Sequence, residues 1–154
     1  MTCNRTKKIF FVCFLLALPV FLFAQTAQKI EELLSSDALS YEHVTQFVLE
    51  AADVPASYSP AAAFSYAAEQ GWLPKNASAN EQAKLRGLSL LVMRAFDMQG
   101  GMFYSLFQTP HYAYRELVYR NIVVGRVDPD MAVSGDTLLY VVNRVLSFQE
   151  SNIL

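Results

Sequence analysis

The stretch Pro60-Ala-Ala-Ala-Phe-Ser-Tyr-Ala-Ala-Glu-Gln-Gly71 decides the fold, because its pattern returns 50 residues later as Pro110-His-Tyr-Ala-Tyr-Arg-Glu-Leu-Val-Tyr-Arg-Asn121. Each stretch begins with proline, which suits the first turn of a helix because the N–H that it lacks has no helical partner there. Apolar residues follow at helical spacing. Glycine and asparagine both tolerate the left-handed conformation that closes a helix. The pattern therefore predicts two helices that end at Gly71 and Asn121.

A loop rich in turn-forming residues follows each of these helices and leads to a second predicted helix. The second helices span Glu81–Phe96 and Gly135–Phe148, and Ser134 is a natural N-cap for the later one. Their matching apolar faces are Leu88, Leu91, Val92 and Ala95, and Leu138, Val141, Val142 and Val145. Frequent β-branched residues make a strand the alternative, but the length and spacing favour a helix.

An earlier, shortened copy precedes these two units. The segment Tyr41–Ala52 aligns with Leu85–Phe96, and Lys29–Ser35 supplies an abbreviated first helix. The sequence therefore predicts an all-α fold of repeated helix-loop-helix units of about 50 residues. Two units are complete, at residues 58–98 and 108–148, and the one at 28–54 is shortened.

Residues 1–24 read as a signal peptide. Three basic residues lie among the first eight, the apolar run Ile9–Ala24 follows, and cleavage is expected after Ala24. An uncleaved anchor is the alternative, but the run has 16 residues and contains Pro19, whereas a membrane span needs about 20. We expect residues 25–154 to be exported to the periplasm or cell envelope, and the chain to meet the membrane only transiently, through the signal peptide.

Composition excludes several functions for residues 25–154. Both cysteines, Cys3 and Cys13, lie in the leader, which leaves no thiolate for catalysis or metal binding. Without the three basic residues of the leader, 9 Lys and Arg remain against 14 Asp and Glu, a net charge of −5 that disfavours nucleic acid. The two histidines, His43 and His111, fit no motif for metal binding or catalysis. We predict a non-enzymatic protein without metal or cofactor.

The last unit resembles the S-layer homology domain family. In that family an aromatic-alanine pair opens the first helix, as Tyr112-Ala113 does here, and a glycine-containing turn follows. The second helix ends in a pattern like Asn143-Arg144-Val145-Leu146. The resemblance covers roughly residues 29–148, and it implies a cell-envelope binding module that associates with an envelope glycan or protein.

The chain departs from this family at one position of each unit. The family's second helix opens with a Thr-Arg-Ala-Glu-like signature, whose arginine contributes to binding an anionic cell-wall polymer. At the corresponding positions this chain has Tyr41, Leu85 and Gly135. The arginine is therefore missing from all three units.

The candidates for ligand binding on loops and helix ends are Arg126, Asp128 and Trp72. Arg126 and Asp128 flank a turn where charged side chains can meet a saccharide or a protein, although the Asp128-Pro129 pair also builds turns by itself. Trp72 can stack on a sugar ring, but its counterpart Ile122 favours a packed position. Arg94 and Arg144 recur at the ends of the second helices, where a cation complements the helix dipole.

The connection between the two complete units is unusually apolar. Gly100-Gly-Met-Phe-Tyr-Ser-Leu-Phe107 either packs across the units or forms an exposed contact patch. We expect any partner-binding surface here, with Phe103, Phe107 and the nearby Tyr112 as its residues. This segment supports an alternative function, a periplasmic adaptor or assembly subunit that binds another protein.

Overall fold

Helices make up almost all the regular structure of the described residues of this computed structural model, which are 31, 33–56, 59–125 and 127–153. They are α1 (Tyr41–Ala51), α2 (Pro60–Glu69), α3 (Leu85–Ala95), α4 (Met102–Phe107), α5 (Pro110–Tyr119) and α6 (Gly135–Ile153). The predicted all-α class is confirmed. The signal peptide and the start of the shortened unit lie outside the described residues. Within them, no helix is both long enough and apolar enough to cross a membrane.

Helices α2 and α5 begin and end as the sequence predicts. The side chains of Ser59 and Thr109 accept hydrogen bonds from backbone N–H groups of the first turn, at 3.2 and 3.5 Å, and proline occupies the first helical position. At the other ends Gly71 and Asn121 adopt left-handed conformations, with φ of 68° and 56°. Because each cap is a local interaction, the local sequence determines these boundaries.

The sequence predicts the start of α6 correctly but not the start of α3. The predicted start of α3 at Glu81 is wrong, since the helix begins at Leu85. The residues before it are extended, because two of them form backbone bridges with the segments that precede α1 and α6. Helix α6 starts at Gly135 as predicted, with the Ser134 hydroxyl accepting a hydrogen bond from a first-turn N–H at 3.3 Å. It continues to Ile153, beyond its predicted end.

Three backbone hydrogen bonds join the segments before α1, α3 and α6 into a closed ring. The Leu39 N–H donates to the Val133 carbonyl, the Val133 N–H to the Ala83 carbonyl, and the Ala83 N–H to the Leu39 carbonyl, each at 2.8 Å. All three side chains are buried. Each residue thus provides one donor and one acceptor, so these buried polar groups are satisfied without an extended sheet. We call these three residues the backbone ring.

The apolar faces of α1, α3 and α6 form the core next to this ring. Each helix buries the residues five and nine positions after its ring residue: Val44 and Val48, Leu88 and Val92, Leu138 and Val142. Helix α1 packs on α2, and α3 packs on α5. The second helix of one predicted unit therefore packs on the first helix of the next, which places α5 and its neighbour α4 on one side of α3.

Candidate functional site

Helix α4 carries an exposed apolar surface. The connection that the sequence leaves as either packed or exposed folds into this six-residue helix, and most of its large side chains face outward. Met102, Phe103, Leu106 and Phe107 expose between 51% and 76% of their surface. Exposed apolar side chains that are grouped, rather than scattered singly, are a feature of interaction sites. We call these four residues, together with Tyr112, the α4 surface.

Aromatic stacking joins α4 to the start of α5. The Tyr112 ring lies 5.8 Å from the Phe103 ring and 5.3 Å from the Phe107 ring, with interplanar angles of 12° and 21°. His111 meets the same tyrosine edge-on, at 5.3 Å. Stacked pairs of this kind add to the stability that burial alone supplies. Three of the six predicted binding residues therefore lie together in the structure.

The opposite side of α4 holds the helix in place. Tyr104 is only 5% exposed, and its ring lies so close to Gly100 that a Cβ at that position would fall 2.4 Å from it. The Gly101 N–H donates to the Glu116 carboxylate at 3.0 Å, and the same carboxylate pairs with Arg120 at 3.0 Å. These contacts anchor α4 together with the stacking on Tyr112, and Met102 and Leu106, which are 76% and 72% exposed, remain available to a partner.

Trp72 lies at a different place, in the wall of a cavity of about 380 Å³ beside α4. The indole is half-buried and meets the Tyr66 ring edge-on, with centroids 5.6 Å apart. Its counterpart Ile122 is buried, as the packed interpretation expects. Trp72 itself is thus partly packed, and one part of its surface faces the cavity.

Two residues beside this cavity contain buried polar atoms that no sequence pattern indicates. The Nε atom of Arg94 and the hydroxyl of Tyr104 are buried and have no hydrogen-bond partner. Burial raises the pKa of Tyr104, an effect that the nearby Arg94 opposes. The sequence pattern indicates only a helix-end role for Arg94, because the residue recurs as Arg144, which donates to the Asn121 carbonyl at 2.7 Å. No sequence pattern distinguishes the two arginines.

The remaining two predicted residues belong to the loop after α5. Asp128 is exposed, and its carboxylate accepts a hydrogen bond from the Asp130 N–H at 2.9 Å, which is the turn geometry that an Asp-Pro pair favours. It lines a wide groove of about 670 Å³, where the Tyr114 hydroxyl donates to the Val127 carbonyl at 2.5 Å. Arg126 lies outside the described residues. The structure thus gives Asp128 a structural partner.

Comparisons with known proteins do not identify the chain. No family model, no curated protein and no solved structure matches it. Among the described residues, no group of three or more His, Cys, Asp or Glu side chains is placed to hold a metal ion. The α4 surface is therefore the feature of the described residues that most favours binding of a partner.

Proposed function

We propose that this chain is an exported, non-enzymatic binding module of the cell envelope that recognises another envelope or periplasmic protein through the α4 surface. The observation that carries this proposal is the exposure of four large apolar side chains on a helix that is anchored from its other side. Exposing these four side chains to water is unfavourable, by about 25 cal/mol for each Å² of apolar surface. A partner that covers it recovers that free energy.

The chemistry of the α4 surface suits a protein better than a glycan. Met102 and Leu106 are its most exposed members, at 76% and 72%, and neither carries a polar group for a sugar hydroxyl. Aromatic residues and methionine are enriched in the centres of protein interfaces. Phe103 and Phe107 supply the aromatic part, and their stacking on Tyr112 limits the conformational freedom that binding would remove.

Replacing both phenylalanines with serine tests this function. The tagged wild-type chain should retain a discrete protein from the envelope fraction of its own source cells. The Phe103→Ser and Phe107→Ser double variant should lose that protein, while its circular dichroism spectrum stays unchanged. Tyr119→Ser is the matched control, since Tyr119 is 82% exposed and lies outside the α4 surface. Equal partner recovery and equal oligomeric state for all three proteins would contradict the proposal.

A second candidate function, binding of an envelope glycan by units like those of S-layer homology domains, is favoured by the backbone ring. The ring residues Leu39, Ala83 and Val133 are 44 and 50 positions apart, the spacings at which the three units align in sequence. This agreement supports the proposal of a repeated architecture. The anionic polymer that the family usually binds is disfavoured, because the buried Tyr41 and Leu85 stand at positions where the family has its binding arginine.

Purified peptidoglycan sacculi test this second function. Retention of the wild-type chain on sacculi, with a protein-only control, supports glycan binding. If the double phenylalanine variant is retained equally, the glycan site lies outside the α4 surface. If the wild-type chain is not retained on sacculi, the hypothesis of glycan binding fails.

Export itself is proposed from the leader in the sequence. The test is the mass of the mature protein recovered from its source cells. A chain that begins at Gln25 supports cleavage after Ala24, whereas an intact Met1 in the envelope fraction supports the anchor.

A further inference from the structure

The outward face of α5 continues the α4 surface. Tyr112, Arg115 and Tyr119 recur at spacings of three and four residues, so they lie along one face of the helix, with about 5–6 Å between successive Cβ atoms. Tyr112 is the residue on which Phe103 and Phe107 stack. Arg115 is therefore the next side chain along this face after the α4 surface, and Tyr119 lies one turn farther away.

Arg115 is exposed, and its charge has no counterpart within the described part of the chain. Of the five arginines described there, it is the one whose guanidinium makes neither a hydrogen bond nor an ion pair. A guanidinium in this state can pair with a carboxylate of another molecule through two parallel hydrogen bonds. The other four bind within the chain: Arg86 to Asp130, Arg94 to Gln108, Arg120 to Glu116 and Arg144 to Asn121.

No acidic side chain is exposed next to the α4 surface. Among the exposed residues between positions 101 and 119, Arg115 carries the one full charge, and the other ionisable groups are those of His111 and Tyr119. Glu116 is partly buried and pairs with Arg120. Asp128 lines the same groove as Arg115, but no ion pair within 4.0 Å joins them among the described residues. The α4 surface thus borders a single positive charge, although residues 25–154 carry a net charge of −5.

An apolar patch that borders one arginine fits a protein partner better than a membrane. Aromatic residues, methionine and arginine are the types enriched in protein interfaces, and arginine is among the residues whose loss weakens binding most. Anionic lipids instead attract clusters of about four to eight basic residues. Here one arginine stands on a chain of negative net charge. The partner is therefore expected to combine apolar side chains with a carboxylate.

We propose that Arg115 extends the binding site, and that the partner protein places an Asp or Glu carboxylate on it beside the apolar side chains that cover the α4 surface. This inference rests on the proposed function, because it takes the partner to be a protein that covers that surface. It adds the charge by which the partner is selected. A segment with Lys or Arg at the same place is rejected, because like charges that face each other across an interface repel.

Two dyes with the same aromatic rings test whether the α4 surface and Arg115 act together. Anilinonaphthalene sulfonate carries one negative charge, and phenylnaphthylamine carries none. Fluorescence titration of the mature chain, residues 25–154, should show binding of both dyes, and the Phe103→Ser and Phe107→Ser double variant should lose it. Arg115→Gln should weaken binding of the sulfonate roughly two- to fivefold, the range of an exposed ion pair, and leave the neutral dye unaffected. The matched control is Lys75→Gln, which removes an exposed cation elsewhere and should alter neither affinity.

The partner itself tests the sign of the charge. The protein that the chain retains from the envelope fraction through Phe103 and Phe107 should be recovered at least fivefold less by Arg115→Glu. Arg115→Lys keeps the positive charge and should retain most of it. Recovery by the wild type should fall as the salt concentration rises, because salt screens exposed ion pairs. These variants should keep the urea midpoint of the wild type, since Arg115 makes no hydrogen bond or ion pair with the described residues.

Several outcomes overturn the inference. These are no binding of the sulfonate dye to the wild type, equal affinity of that dye for the wild type and Arg115→Gln, or sulfonate binding that survives in the double phenylalanine variant. Equal partner recovery by the wild type and Arg115→Glu also overturns it. Binding to vesicles of phosphatidylglycerol and phosphatidylethanolamine that Arg115→Gln abolishes would show a membrane as the ligand and overturn it as well.

The double phenylalanine variant separates this inference from the proposed function. If partner recovery depends on Phe103 and Phe107 but not on the charge at Arg115, only the inference fails. If loss of the two phenylalanines leaves partner recovery unchanged, the proposed function fails, whatever the dyes show.

Discussion

Replacing Tyr104 with phenylalanine should stabilise the protein, which is the opposite of what most core substitutions do. The substitution keeps the buried ring and removes a hydroxyl that has no hydrogen-bond partner. A buried polar group left without a partner costs about 1–3 kcal/mol. Because no hydrogen bond is lost, the free energy of unfolding should rise by about 1–2 kcal/mol. For a domain of this size that corresponds to an increase in Tm of roughly 4 °C for each kcal/mol.

The same substitution at Tyr114 provides the control. Its hydroxyl donates to the Val127 carbonyl at 2.5 Å, so Tyr114→Phe removes a formed hydrogen bond and should lower the free energy of unfolding by about 1 kcal/mol. Urea unfolding of residues 25–154 without added ligand measures both variants. A Tyr104→Phe protein that is no more stable than wild type would refute the reasoning, since the hydroxyl would then have a partner.

Three further predictions concern glycine positions and alkaline pH. Gly87→Ala should lower the free energy of unfolding by about 1–3 kcal/mol, although alanine has the better helix propensity. The reason is that the added Cβ would lie 2.3 Å from the hydroxyl of the buried Tyr41. An unchanged urea midpoint would show that the Tyr41 ring moves aside freely. Gly71 has a φ of 68° and open space around it, so Gly71→Asn should be tolerated, as Asn121 is in the same conformation. Gly71→Val should instead lower the free energy of unfolding by about 2 kcal/mol, because a β-branched residue is strained at positive φ. Equal Tm values for the two variants would contradict this prediction. Burial raises the pKa of Tyr41 and Tyr104 above their usual 10.0, so the folded state holds these protons more tightly than the unfolded state and stability falls as the pH rises above about 10. Urea titrations across that range should show a shallower fall for Tyr104→Phe than for wild type, and identical slopes would contradict the assignment.

Local interactions explain which boundaries could be predicted. The ends of α2 and α5 depend on Ser59, Thr109, Gly71 and Asn121, each of which acts within a few residues of its own position in the chain. The start of α3 could not be predicted, because residues 81–84 are extended by bridges to segments about 40 and 50 positions away. Helical spacing in the sequence carries no information about such long-range pairs.

The candidate binding residues follow the same division. Phe103, Phe107 and Tyr112 lie within ten positions of one another, so their grouping follows from one short segment. The buried atoms of Arg94 and Tyr104 could not be predicted, because packing in three dimensions decides whether a buried polar atom has a partner. Two arginines that are equivalent in sequence therefore differ in the structure. One donates to a backbone carbonyl, and the other retains an unused donor.

The backbone ring also has a consequence for folding cooperativity. In linear repeat proteins each unit contacts only its neighbours, so an end unit can unfold while the others persist. Here Leu39 and Val133 are hydrogen-bonded although they belong to the first and last segments of the ring. Closing the ring requires contacts across almost the whole described chain, and losing any one segment leaves a donor and an acceptor of the other two unpaired. The chain should therefore unfold in a single transition, and it should tolerate deletion of a terminal unit far less well than a solenoid does.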